Sequence, residues 1–252
     1  MEFGKSTFSI SLAQFFERKE LKTLIIDFDI WNSSINTILG INKYPKEIKN
    51  IESKNLITKL SDKLHVFCGI DLIINLEYEN NYIKIKEILD TLKNDYEFII
   101  VDTSSEVYYK YIKTILSLSN KIIFLVEPNL SEIKKAKKLL EIYINDWNIN
   151  AEKIKILFNK TNKYQISEDI LKEIFSKFEL IGNLKYDEKI NLLINKNGKI
   201  KFNEENNLIF EKIYNNKEKN DERRIGNIKT CKILLNDVYD KRFIFRRKKN
   251  RK

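Results

Sequence analysis

Six short, mainly apolar runs constrain the fold of this chain more than any other feature of its sequence. Each run is five or six residues long and is rich in Ile, Val, Leu or Phe. Near-continuous apolar runs of this length fit strands that are covered on both faces, as the strands of parallel sheets are. The runs are residues 23–27, 64–69, 98–102, 121–126, 154–159 and 179–184.

Longer stretches with helical periodicity separate these runs. In Leu130–Ile144, apolar residues recur at i, i+3 and i+4, and lysines occupy the opposite face. The other clear stretches are Lys5–Lys19, Tyr82–Asn94 and Ser167–Phe178. Repeated alternation of strand and helix predicts an α/β fold, a doubly wound and mostly parallel sheet with helices on both faces.

Several classes of protein are excluded by what the sequence lacks. No stretch approaches 18 uncharged apolar residues, so a membrane-spanning helix is not expected. The first residues do not have the pattern of a secretory signal, and two cysteines cannot form a disulfide framework. We therefore expect a cytoplasmic protein. Its one histidine, His65, lies inside an apolar run and is predicted to be a core residue rather than a catalytic base.

The positive charge is concentrated in a tail. The formal net charge is +10, but residues 241–252 carry eight Lys and Arg and no acid, which leaves +2 for the other 240 residues. Such a tail could bind anionic lipid at the membrane periphery, neutralise DNA phosphates, or be a solvated terminus. A charged stretch at 215–224 resembles a linker, and Cys231–Val238 could pack back as a helix or strand. We expect residues 1–214 to form one domain and residues 215–252 to form a polar linker and basic tail.

The segment Gly4-Lys5-Ser6-Thr7 directly precedes a predicted amphipathic helix. A Gly-Lys-Ser/Thr turn at a helix start can present backbone N–H groups to a phosphate. The lysine then reaches the β and γ phosphates, and the Ser6 hydroxyl binds Mg²⁺. An ordinary helix cap is the alternative, because the full motif needs another glycine five residues before Gly4.

Three of the predicted strands end in polar residues that could serve such a site. Asp27 and Asp29 follow the first strand, Asp102 ends the third, and Asn159 ends the fifth. Ligands of open α/β sheets bind at the carboxyl ends of the strands. Asp102 has the form of an acid that helps to hold Mg²⁺, and Asn159 is placed to contact a base. Each residue alone could be an ordinary strand end or turn, but their order favours one shared site.

The motifs in this order resemble the MinD/ParA family of deviant P-loop ATPases over about residues 4–200. The similarity is greatest to the MinD and CpaE/TadZ branch, which positions division, flagellar or pilus machinery. It is carried by G-K-S-T-F-S-I-S-L-A-Q-F-F, L-K-T-L-I-I-D-F-D, E-F-I-I-V-D-T, K-I-I-F-L-V-E-P-N, I-L-F-N-K and L-I-G-N-L-K-Y-D. The resemblance implies a P-loop NTPase fold of the SIMIBI type that binds ATP and Mg²⁺. It also implies ATP-dependent homodimers and slow hydrolysis.

The resemblance also implies roles for individual residues. Lys5 matches the lysine that grips phosphate, and Gly4, Ser6 and Thr7 complete the cradle. Ser6, Asp27 and Asp102 match the residues around the metal, Asp102 as the Walker B acid. Asp29 matches the second acid of the D-x-D element, which positions the attacking water. Asn159 is similar to the asparagine that bonds adenine, and Pro128 to the proline beside the nucleotide.

The sequence departs from the family at its start. The signature K-G-G-x-G-K-[ST] would place glycines where Met1 and Glu2 stand, and its first lysine would precede the chain. No strand precedes Gly4, although the family's central strand would lie between those at 98–102 and 121–126. Its loss would leave two interior edges unpaired, at about 1–3 kcal/mol for each buried group without a partner. We therefore expect the natural chain to begin upstream of Met1, and an in-frame stop codon directly before Met1 would contradict this.

These observations predict a nucleotide-dependent switch that positions division, pilus, flagellar or DNA cargo. Hydrolysis is expected to be slow and to need a complete P-loop. The alternative is a degenerate, non-hydrolysing scaffold of the same fold that binds a protein partner or a membrane.

Overall fold

The computed structural model describes residues 4–28, 34–41, 56–67, 81–103, 110–187, 204–215 and 231–236. Its strands are β1 (Thr23–Asp27), β2 (Ile57–Lys59), β3 (Leu64–Phe67), β4 (Phe98–Asp102), β5 (Lys121–Val126), β6 (Ile154–Thr161), β7 (Glu179–Lys185) and β8 (Cys231–Asn236). Its α-helices are α1 (Lys5–Arg18), α2 (Ser34–Leu39), α3 (Asn81–Leu92), α4 (Lys110–Leu118), α5 (Leu130–Glu141), α6 (Glu168–Ile174) and α7 (Glu204–Asn215).

The strands form one sheet in the order β2-β3-β1-β4-β8-β5-β6-β7. Every neighbouring pair is parallel except β2 and β3, which are antiparallel. Residues of α3, α4, α5 and α6 pack in one apolar cluster, and residues of α1, α2 and α7 pack in a second. In β4, Ile99 and Val101 belong to the first cluster, whereas Phe98 and Ile100 belong to the second. The predicted doubly wound α/β fold is confirmed.

All six predicted strands are present, with ends that differ by at most two residues. The predicted helix Leu130–Ile144 is α-helical only to Glu141 and continues as a π-helix over Ile142–Asp146. Helix α7 was not among the stretches with clear helical periodicity. Phe210 is fully buried there, and Ile213 is almost so. Among the described residues, no helix is both long and apolar enough to cross a membrane.

Strand β8 occupies the position between β4 and β5 that we expected to be empty. Its register pairs Cys231 with Phe98 and Leu235 with Asp102 on one side, and Ile233 with Lys121 on the other. Both interior edges therefore have a hydrogen-bonded partner, and the expectation of two unpaired edges is wrong. The short apolar segment that begins at Cys231 does pack back, as a strand over Cys231–Asn236. The division at residue 214 stays a prediction, but the sheet extends beyond it.

Helix α7 is attached at the end of the sheet where β5 begins. Lys121, the first residue of β5, is buried, and its Nζ donates a hydrogen bond to the carbonyl of Ile213 at 2.8 Å. A cation near the last turn of a helix interacts favourably with its free carbonyls and dipole. Lys19, at the end of α1, pairs with Glu211 at 2.7 Å. The C-terminal end of α7 therefore lies beside the amino ends of the central strands.

His65 is a core residue, as the sequence predicts. It is 5% exposed, and its Nδ1 lies 2.8 Å from the Tyr96 hydroxyl. Burial lowers the pKa of His65 below its ordinary value of 6.5, and the positive charges of Lys22 and Lys59 lower it further. Burial also raises the pKa of Tyr96 to about 12.

The lowered pKa of His65 predicts a loss of stability in mild acid. Because the unfolded chain binds a proton on this side chain more readily, the contribution of neutral His65 to the free energy of unfolding is complete above about pH 6.5. It declines as the pH falls from there towards the lower pKa of the folded state. Urea unfolding at pH 7.5 and 5.5 should show a smaller decline for His65→Gln than for the wild type. Equal declines, or a midpoint at or above 6.5 for the one imidazole NMR signal, would contradict this prediction.

Candidate functional site

The carboxyl ends of β1, β4 and β8 meet at one edge of the sheet. Asp27 and Asp102 are the last residues of β1 and β4 and are register partners. Leu235 of β8 is in register with Asp102. Helix α1 begins at the same edge, since Ser6, in its first turn, contacts Asp102 directly. Parallel pairing therefore brings together side chains that lie far apart in the sequence.

The contact between Ser6 and Asp102 is the central feature of this edge. The Ser6 hydroxyl donates a hydrogen bond to Asp102 Oδ2 at 2.5 Å, and both side chains are at least nine-tenths buried. The Ser34 hydroxyl in turn donates to Ser6 Oγ at 2.6 Å. Hydrogen bonds to an ionised carboxylate are short and about twice as strong as neutral ones. A hydroxyl and a carboxylate are thus held together at the start of α1.

Asp27 is held close to this pair by the backbone. Its side chain is 3% exposed, and Oδ2 accepts a hydrogen bond from the Ile35 N–H at 3.3 Å. The N–H of Phe28, the next residue, donates to the carbonyl of Asp102 at 2.7 Å. Ser34 and Ile35 are the first residues of α2, which was not anticipated. A serine before an apolar helical stretch is a recognisable start signal and could have revealed this helix.

The start of α1 has the properties of an anion site. Gly4, at the N-cap, contributes no side-chain cap, and the first turn of the helix carries no acid. Lys5 is half-buried at the first helical position. Thr7 is 3% exposed, and its Oγ1 has no hydrogen-bond partner among the described residues. A buried hydroxyl beside free helix N–H groups fits a bound phosphate oxygen, which would accept from both.

A second polar group lies where β5 and β6 end. Asn159, in β6, is 8% exposed, and its Nδ2 has no partner in the part of the chain that is described. Next to it, Lys160 has a positive φ of 55° and forms an ion pair with Glu127. The buried Pro128 directly follows Glu127, and its carbonyl accepts from the Ile166 N–H at 3.0 Å. A buried amide donor without a partner fits a ligand that carries an acceptor.

The predicted site residues therefore form two groups on either side of the central strand. Ser6, Asp27 and Asp102 lie together with Gly4, Lys5 and Thr7 at the start of α1, whereas Asn159 and Pro128 lie beyond β8. Asp29 falls outside the described residues, and its predicted role stays a prediction. The role of Lys5 in phosphate binding likewise stays a prediction.

The residues around Ser6 fit a magnesium ion that is shared with a ligand. Within the described ranges, no three His, Cys, Asp or Glu side chains are grouped to hold a metal by themselves. Mg²⁺ does not need such a cage, because it keeps several waters and takes one or two carboxylates together with substrate phosphates. The Ser6 hydroxyl and the Asp102 carboxylate provide oxygen donors of this kind.

Comparison with known proteins supports the fold. A protein of Methanocaldococcus jannaschii is 25% identical over 206 residues, which are 71% of this chain and 78% of that protein. A chain of the MinC:MinD cell division protein complex of Aquifex aeolicus has a similar fold, with a TM-score of 0.69 and 18% identity over 90% of this chain and 94% of that chain. MinD of Pyrococcus horikoshii, solved with Mg-ADP, gives a TM-score of 0.67 and 15% identity over 88% and 94% of the two chains.

The family itself is shown by the sequence. Residues 2–200 match the model of the CobQ/CobB/MinD/ParA nucleotide-binding domain. The matched range contains α1, the strands β1 to β7 and every residue of both polar groups. The chain therefore belongs to the CobQ/CobB/MinD/ParA nucleotide-binding domain family.

Proposed function

We propose that this protein binds ATP with Mg²⁺, hydrolyses it slowly, and acts as a nucleotide-dependent switch. The observation that carries the proposal is the hydrogen bond from the Ser6 hydroxyl to Asp102 at the start of α1. A hydroxyl and an acid in this relation are the protein ligands that hold Mg²⁺ in P-loop enzymes. The Thr7 hydroxyl and the Asn159 amide, which have no hydrogen-bond partner among the described residues, add one donor on the phosphate side and one on the base side.

Each residue has a role in the proposed site. Ser6 and Asp102 would hold Mg²⁺, with Asp27 beside them, and the ion would neutralise charge on the phosphates. Lys5 and the N–H groups of Gly4 and its neighbours would bind the β and γ phosphates. Thr7 would donate to a phosphate oxygen, and Asp29 would orient the attacking water. Asn159 would donate to adenine close to Pro128.

The wider proposal concerns partners. The MinD complex named above contains MinC, and the same fold here supports a switch that passes its nucleotide state to another protein. We propose an ATP-dependent homodimer that positions division, pilus, flagellar or DNA cargo. The basic residues 241–252, outside the described ranges, would contact anionic lipid or DNA. The alternative, a non-hydrolysing scaffold, is favoured by Met1 and Glu2, which stand where the family has glycines.

ATP binding and turnover with and without Mg²⁺ test the proposal, with Lys5→Ala as the informative variant. Removing the lysine takes away the cation expected on the β and γ phosphates, so turnover should fall to background. The matched control is Lys138→Ala, an exposed lysine in the last turn of α5. Turnover that survives Lys5→Ala would contradict the assignment. Binding without turnover in the wild type would favour the scaffold, and a folded protein that does not bind ATP would refute the proposal.

Asn159→Leu should weaken ATP binding without weakening the fold. The leucine keeps the volume but removes the Nδ2 donor, which has no partner among the described residues. ATP should therefore bind about tenfold more weakly, as expected for the loss of about 1.4 kcal/mol. Inorganic tripolyphosphate should bind as before, because it lacks the base. The free energy of unfolding should be unchanged or higher, since a buried unpaired group is lost. If the substitution weakens the binding of ATP and of tripolyphosphate equally, the proposed contact between Asn159 and adenine is contradicted.

A further inference from the structure

The topology divides the candidate site into two halves that are joined by one strand. The start of α1 and the ends of β1 and β4 form a phosphate half, which contains Ser6 and Asp102. The ends of β5 and β6 form a base half, which contains Asn159. Among the described strands, only β8 forms hydrogen bonds with both halves of the sheet, to β4 on one side and to β5 on the other.

The register of β8 shows how it could control the spacing of the two halves. It pairs with β4 over the whole length of that strand, from Phe98 to Asp102. It pairs with β5 from Lys121 to Phe124. Because adjacent strands lie about 4.8 Å apart, one intervening strand keeps β4 and β5 about 10 Å apart. Without β8, no described strand would hold this distance.

We infer that β8 is a positioning element for the nucleotide, and that β8 docking and ATP binding stabilise each other. The inference rests on the proposed function, because it requires one ligand that contacts both halves. A ligand that spans the halves binds well only when their spacing is correct, and β8 provides that spacing. By linkage, such a ligand must favour the docked strand as strongly as the docked strand favours the ligand.

The segment between α7 and β8 is long enough for β8 to detach from the sheet and return to it as a unit. Helix α7 ends beside Lys121, whose Nζ bonds the carbonyl of Ile213, and Lys121 is also in register with Ile233 of β8. The start and end of the connection therefore lie near each other. Residues 216–230 could span about 50 Å if fully extended, far more than this separation requires. Undocking of β8 thus requires no displacement of α7.

The sequence of β8 also indicates that this strand is attached to the sheet less strongly than its neighbours are. It reads C-K-I-L-L-N, and its register places Lys232 opposite Ile99, which is fully buried in β4. Lysine is rarely found in fully buried positions, because its charge must be desolvated or paired. The equivalent interior positions of β1 and β4 hold only Leu, Ile or Val. Of β1, β4 and β8, only β8 has a lysine at an interior position, so we expect β8 to be the least strongly attached of the three.

Labelling of Cys231 in the full-length chain tests the inference. The chain has two cysteines, so Cys68→Ser leaves Cys231 as the single thiol, at the first position of β8. The measurement is the rate of reaction with a thiol reagent, relative to the urea-unfolded chain. We expect slow labelling without nucleotide and about 100-fold slower labelling with Mg-ATP at 100 times its Kd. The dependence of this rate on low urea concentrations separates undocking of β8 from global unfolding, which exposes more surface and has a steeper slope.

Partial ligands and a strand variant complete the test. Adenosine and tripolyphosphate each reach only one half, so at the same multiple of their own Kd they should protect Cys231 less than ATP does. Lys232→Ile should slow labelling even without nucleotide, whereas the control Lys232→Arg should not. If adenosine alone or tripolyphosphate alone protects Cys231 as fully as ATP does, the inference that the ligand must span both halves is wrong.

The inference and the proposed function fail in different ways. If ATP binds, as measured independently, but leaves the labelling rate unchanged, the coupling is wrong while the proposed function stands. If ATP does not bind to the folded chain, both are wrong. Labelling as fast as in the unfolded chain would show that β8 is not docked and would refute the inference at its first step.

Discussion

Replacing Ser6 with alanine lowers Mg²⁺-dependent ATP turnover about 100-fold or more, the scale typical of losing one group that stabilises transition-state charge. The substitution removes the hydroxyl expected to bind the metal, and it removes the hydrogen bond of 2.5 Å to Asp102. Turnover measured against Mg²⁺ concentration should show a requirement for more metal, because one ligand is missing. ATP binding in the absence of Mg²⁺ should change little.

Ser9→Ala is the matched control for this experiment. Ser9 lies in the same helix and is fully buried, but its hydroxyl has no hydrogen-bond partner among the described residues. Its removal should leave turnover unchanged and leave the free energy of unfolding equal or higher. If both variants lose turnover alike, the effect is a general disturbance of α1. If neither loses it, Ser6 does not serve the metal.

The fold was largely predictable because its strands are buried on both faces. In β4 and β5 almost every residue is apolar, and a run with no polar face fits a two-sided sheet better than a surface element. Helix α5 was recognisable from its period, although the change to a π-helix at Ile142 was not. Short helices such as α2 contain too few turns for a period to be detected.

The position of β8 could not be predicted, because strand order depends on contacts between distant residues. The pairing of Cys231 with Phe98 joins residues more than 130 positions apart, and no local pattern specifies it. Comparison of motifs located an unfilled position between β4 and β5 but contained no information about what fills it. The apolar segment that does so was visible in the sequence, although its partners were not.

The candidate site was partly predictable for a related reason. Acids at the ends of neighbouring parallel strands must meet at one edge, so the proximity of Asp27 and Asp102 follows from the fold. The hydrogen bond from Ser34 to Ser6 could not be foreseen, since it depends on how α2 packs against α1. The amide of Asn159 was identified by its place at a strand end, but only the structure shows that its Nδ2 has no partner within the described part of the chain.

Phe16→Ala should cause a large loss of stability. Phe16 is fully buried in α1, and its ring lies 3.9 Å from that of Phe98 and 6.3 Å from that of Tyr214. It therefore connects α1 to β4 and α7 on one face of the sheet. Truncating a buried phenylalanine to alanine costs about 3–5 kcal/mol, a large part of the 5–15 kcal/mol that stabilises a typical domain. Urea unfolding measures this loss directly.

Leu208→Ala is the control for the loss of an apolar side chain, because Leu208 is 65% exposed in α7 and its removal should change stability by less than about 0.5 kcal/mol. A similar loss in both variants would contradict the assignment of Phe16 to the core.

Phe16 also lies ten residues beyond Ser6 in α1, about 15 Å along the helix axis. The fraction of Phe16→Ala that remains folded should therefore bind ATP with wild-type affinity. Stability and nucleotide binding depend on opposite ends of one helix, and this variant is expected to impair only the first.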